Sequence, residues 1–72
     1  MQPRPWQEVL DALVALGVEV VSQNERHVVI CRGAVKLQYL PKLEMVPGWI
    51  QWNIVTDLGF EIADYRGHLR SN

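Results

Sequence analysis

This chain of 72 residues has a single cysteine, Cys31, so no internal disulfide can form, and no second Cys or His stands at metal-ligand spacing from it. A lone cysteine in an alternating apolar stretch reads as a small hydrophobe in a strand. Long apolar runs are missing too. The longest, Ala12–Leu16, is far short of the roughly 20 residues a membrane helix needs, and the N-terminus has no charged-then-apolar signal pattern. Together these absences predict a cytoplasmic chain with no membrane span, no metal and no other cofactor. Positive charge is scarce: seven Lys and Arg stand against eight Asp and Glu, for a net charge of -1 and a pI near 6.0. The whole-molecule field therefore does not attract nucleic acid, and RNA contact would need a local basic patch. Serine occurs only at Ser22 and Ser71, neither in a glycine-flanked elbow, and no glycine-rich phosphate loop is present.

What is present is a folding composition, 49% hydrophobic and 21% charged, without repeats or linkers. It predicts one domain over residues 1–72. A domain of this size buries only about 60% of the surface its unfolded chain exposes, so its stability is marginal unless a partner adds to it.

Met1 to Arg4 reads as a frayed arm. Pro5 suits the first turn of a helix, and Trp6, Val9, Leu10, Leu13 and Leu16 follow a 3.6-residue period up to a closing Gly17. Gly17 to Leu40 reads as three short strands, rich in β-branched residues and broken at polar or glycine positions. A two-residue turn at Arg32 and Gly33 pairs Cys31 with Ala34, Val29 with Lys36 and His27 with Gln38, which puts Val28, Ile30, Val35, Leu37 and Tyr39 on the core face. A three-residue loop, Gln23 to Glu25, sets Val18 and Val20 beside Ile30 and Val28 and leaves Glu19 on the open face with Val21. After Pro41 and an apolar connection, Gly48 caps a second helix, Trp49 to Leu58, stopped by Gly59. Its inward stripe is Ile50, Ile54, Val55 and Leu58, while Trp49 and Trp52 point away. Phe60, Ile62, Tyr65 and Leu69 predict a short third helix over the core, with residues 67–72 fraying. The expected core includes Leu10, Leu13, Val20, Val28, Ile30, Leu37, Ile54 and Leu58. The fold class is α+β: helix, three-stranded antiparallel meander, helix, and a possible short C-terminal helix.

That order is shared by double-stranded-RNA-binding domains and by the HicA family of small bacterial mRNA interferase toxins. Leu13 to Gly17, and Gly17, Val20, Val21, Gln23 and His27, resemble the HicA first helix end and first hairpin without a gap. Glu44 to Gly48 resemble the acidic, apolar, variable, Pro, Gly run before the second helix, and Ile50, Ile54, Leu58, Gly59 and Phe60 continue the pattern, so the resemblance covers about residues 8 to 66. It implies a catalytic histidine at His27. The family's Gly, Ser pair before that histidine is replaced here by Glu25 and Arg26, its basic character is missing, and its polar helix start is replaced by Trp49 and Trp52.

Imidazole alone has an ordinary pKa near neutrality, so His27 is the candidate general acid or base for metal-free RNA cleavage. On the expected register Lys36 steadies the developing phosphorane charge and Gln38 hydrogen-bonds the ring. Trp49 and Trp52 are candidate protein anchors, and so are Val21 and Val29 on an open sheet face too apolar for a phosphate surface. Two functions follow as expectations. One is a protein-binding module or inhibitor on a HicA-like fold, encoded by a phage or mobile element, with weak or no RNase activity. The other is a HicA-type interferase cutting RNA with His27 and neutralised by an antitoxin. The expected partner is a protein, whether antitoxin, host target or a second copy; RNA is the other candidate.

Overall fold

Proline and glycine punctuate the chain in the computed structural model, which describes residues 1–33 and 36–69. The elements are α1 (Trp6–Ala15), β1 (Glu19–Gln23), β2 (His27–Arg32), β3 (Lys36–Pro41), α2 (Gly48–Asp57) and α3 (Ile62–His68). This is an α+β fold, in α-β-β-β-α order with a short C-terminal helix, and the sheet is an antiparallel meander in the order β1-β2-β3.

Helices α1 and α2 end alike. Gly17 and Gly59 take φ of 101° and 82°, conformations that a Cβ resists. The amide of Val18 then donates back to the Leu13 carbonyl and that of Phe60 to the Val55 carbonyl, both at 3.1 Å, which occupies carbonyls the helices leave over. The core lies between the helices and one face of the sheet: Val9, Ala12 and Leu13 of α1, Val28 and Ile30 of β2, Leu40 of β3, Ile54, Val55 and Leu58 around α2, and Tyr65 of α3. Val18 and Val46, outside the elements, complete it.

The expectations for both hairpins of the sheet need correction. The β2–β3 connection is three residues, not two: Arg32 pairs with Lys36, Cys31 with Leu37, Val29 with Tyr39 and His27 with Pro41. An odd shift of register turns every side chain of β3 over. Leu40 is therefore fully buried, while Leu37 and Tyr39, expected in the core, are 57% and 61% exposed. The cause is Arg32. Its Nη1 donates to the Leu58 carbonyl at 2.9 Å and its guanidinium lies 4.1 Å from the centre of the Phe60 ring, so β2 extends through Arg32 to hold the end of α2 and the turn moves outward. The expected placements of Ala34 and Val35 lie outside the described residues.

The first hairpin is also corrected: its loop is Asn24 to Arg26, not Gln23 to Glu25. Val20 therefore pairs with Ile30 rather than Val28, Gln23 takes the place opposite Val28, and Val18 lies before the strand; Glu19 pairs with Cys31, with a bulge between Val20 and Ser22. Glu19 is on the open face, as expected. Val20, however, is 43% exposed, because no helix covers β1 closely.

The N-terminal arm, expected to fray, is pinned. Arg4 and Val46 exchange backbone hydrogen bonds, and a Cβ on Gly48 would collide with the Met1 carbonyl. That close approach explains glycine at the start of α2, where Pro47 rather than Gly48 is the capping position. At the other end α3 takes in Gly67 and His68. The expected fraying of residues 70–72 lies outside the described residues.

Candidate functional site

His27 opens β2 behind a tight turn. The Asn24 side chain fixes that turn: its Oδ1 accepts from the amides of Arg26 at 2.8 Å and His27 at 2.9 Å, and the Asn24 amide donates to the His27 carbonyl at 3.0 Å. Asn does this because its short side chain mimics a backbone turn. The half-buried imidazole meets the Tyr39 ring edge to face, with centroids 6.2 Å apart and planes at 86°. A shallow concavity of about 450 Å³ at this end is lined by Asn24, Glu25, Arg26 and His27 alone. It brings one histidine, one cation and one carboxylate together.

Lys36 and Gln38 are not brought to His27. Lys36 lies opposite Arg32 at the far end of the hairpin, about 17 Å along the strand from the residue facing His27 at ~3.3 Å per residue. It lines a separate groove of about 470 Å³ with Asp57 and Gly59. Gln38 faces the helices and donates from Nε2 to Asp57 Oδ2 at 3.3 Å. The phosphorane-stabilising and ring-orienting roles expected of these residues therefore have no geometric basis, for the same reason that Leu37 and Tyr39 turn outward.

Of the expected partner-binding residues, Val29 is half-buried at the centre of the open face and Val21, 56% exposed, lies in the bulge of β1. Trp49 and Trp52 are 68% and 51% exposed on α2, on the other side of the core. They point outward because the inward stripe of α2 is Gln51, Ile54, Val55 and Leu58, a spacing that leaves positions 49 and 52 on the far side.

Gln51 was missed by reasoning from residue type, although the same 3.6 period marks it. It is fully buried. Its Nε2 donates to the carbonyls of Gln2 at 2.9 Å and Val46 at 3.0 Å, and its Oε1 accepts from the Tyr65 hydroxyl at 2.8 Å. Burial pushes the Tyr65 hydroxyl well above the ordinary tyrosine range; nearby Arg4 opposes the shift and Glu8 adds to it. Both side chains are satisfied, as buried polar groups need to be. Among the described residues no group of three or more His, Cys, Asp or Glu is placed to hold a metal, and no helix is long and apolar enough to cross a membrane. Compared with known proteins, the chain gives no match to a family model and no significant match to a curated protein or a solved structure.

Proposed function

We propose that this chain is a small protein-binding module that engages its partner through the outer face of α2 and has weak or no RNase activity. The observation that carries this reading is the exposure of Trp49 and Trp52, 68% and 51%, on one side of one helix. A tryptophan buries 150–250 Å² when covered, and a domain this small has little other apolar area to draw on. Neighbouring Trp side chains left to solvent are the residue type that dominates interface energetics. Base stacking is the weaker use for them, because α2 carries no Lys or Arg and stacking platforms run beside a positively charged groove.

The test replaces both with glutamine. The double variant should keep its far-ultraviolet circular dichroism and its melting temperature while losing the protein that co-purifies with the wild type. Unchanged co-purification would overturn the reading. The alternative, a HicA-type interferase held in check by an antitoxin, draws support from His27 and Arg26 sharing one concavity. It requires metal-free RNA cleavage that disappears in His27→Ala.

A further inference from the structure

The outer face of α2 ends at a groove walled by two cations, and we infer that the partner segment seated on Trp49 and Trp52 is acidic, with a carboxylate that enters this groove beside Lys36. The inference rests on the tryptophan reading and adds the partner's chemistry to it. Trp49, Trp52 and Thr56 stand at i, i+3 and i+7 and share one stripe of the helix. The Thr56 hydroxyl donates back to the Trp52 carbonyl at 2.8 Å. Thr56 is exposed, and it also lines the groove of about 470 Å³ between the end of α2 and the second hairpin. The stripe therefore runs into the groove without a break.

Arg32 and Lys36 form the facing wall, paired across β2 and β3. Like charges directly opposite one another destabilise a sheet, so this pair of positions favours an anion beside it. Arg32 has a structural use, since its Nη1 donates to the Leu58 carbonyl and its guanidinium lies over the Phe60 ring. Lys36 has none: it is exposed, and its ammonium has no ion pair or hydrogen bond among the described residues. Asp57, the carboxylate that lines the groove, accepts at Oδ2 from Gln38 Nε2 at 3.3 Å instead. Two cations against one carboxylate leave the groove positive, and a carboxylate from the partner balances it.

Spacing defines the segment further. Thr56 lies ~6 Å beyond Trp52 along the helix, a span of about two residues of extended chain. The fitting segment carries Asp or Glu about two to three residues from the apolar or aromatic side chain that covers the tryptophans. Single-stranded RNA also uses aromatic platforms beside cations. Here the cations sit at one end of the stripe with Asp57 among them, an arrangement that cannot follow a run of phosphates. A polypeptide is the better occupant.

A phage-displayed library of random peptides about twelve residues long, selected on the full chain at low salt, tests this. Enriched peptides should combine aromatic or aliphatic residues with Asp or Glu. A synthetic copy should bind the wild type and not the double variant Trp49→Gln, Trp52→Gln. Lys36→Glu should weaken it at least about fivefold, and the loss should shrink as salt rises, as for an exposed ion pair. Replacing the peptide's acid by its amide should weaken binding to the wild type similarly and should not weaken binding to Lys36→Glu further, the coupling expected of a direct pair. Arg26→Glu, the same charge change at the far end of the sheet, should bind like the wild type. Enriched peptides without an acid, no enrichment at all, or equal losses in Lys36→Glu and Arg26→Glu would overturn the inference. Peptides without an acid that still need the tryptophans would leave the tryptophan reading standing, whereas peptides indifferent to the tryptophans would count against both. Tryptophan-dependent binding of a single-stranded RNA of similar length, tighter than any selected peptide, would assign the groove to phosphate and overturn the inference as well.

Discussion

Gln51 and Tyr65 show how a few polar atoms fix a small core. The amide reaches the chain at Gln2 and Val46 with its donors and takes the Tyr65 hydroxyl with its acceptor, so the N-terminal arm, α2 and α3 meet at one side chain. Replacing Tyr65 with Phe keeps the ring but leaves the buried Gln51 Oε1 without its donor, at a cost of about 1–3 kcal/mol. The same residue makes stability depend on pH. Folding holds the hydroxyl neutral far beyond the range in which it ionises when unfolded, so its contribution is complete below about pH 10 and is lost as pH rises further, by about 1.4 kcal/mol per unit. Urea midpoints between about pH 8 and pH 11 should fall steeply above pH 10 for the wild type and less steeply for Tyr65→Phe. Equal slopes would mean that Tyr65 is reached by water in the folded state.

At the scale of the element, β3 is decided by its turn rather than by its own composition. Leu37 and Tyr39 are as apolar as Leu40, and a core built on Leu37 and Tyr39 would satisfy alternation equally well, so the pattern of the strand leaves two faces open. Arg32 breaks the tie through Leu58 and Phe60, a contact with residues 26 and 28 positions away that no local pattern contains. Leu40→Ala should accordingly cost about 2–5 kcal/mol, whereas Leu37→Ser and Tyr39→Ser should each stay within about 1 kcal/mol of wild type at low protein concentration. The reverse order in thermal melts would restore the two-residue turn. The helices were legible for a complementary reason. Their apolar periods and closing glycines are local, and so the inward stripes of α1 and the outward placement of Trp49 and Trp52 follow from spacing alone. The candidate site was legible only in part. His27 at the start of β2 and Glu19 on the open face depend on positions near the first turn, but Lys36 and Gln38 depend on the second, and one residue of turn length moved both away.

The whole molecule presents two unlike surfaces with the core between them: exposed tryptophans on the helix layer and an apolar sheet face with His27 at one end. Neither resembles a phosphate-binding surface. The net charge is -1, and the one cation that shares a concavity with His27, Arg26, is accompanied there by Glu25. Cleaving RNA without metal requires a base for the 2′-hydroxyl, an acid for the leaving oxygen and donors for the charge on the phosphorane. His27 supplies one of these groups at a time, and Lys36, at the opposite end of the hairpin, supplies none at that position. Purified wild type and His27→Ala should therefore degrade a messenger RNA equally slowly in the presence of a chelator. The substitution should cost no more than about 1 kcal/mol of stability, since it removes an edge-to-face contact with an exposed Tyr39 ring. Changing Glu25 to Gly and Arg26 to Ser together, which rebuilds the pair that precedes the HicA histidine, removes the carboxylate but still leaves Lys36 remote. No cleavage should appear in that variant either. Robust activity that depends on His27, in the wild type or in the rebuilt turn, would show that one histidine in this loop suffices and would return the chain to the interferase reading.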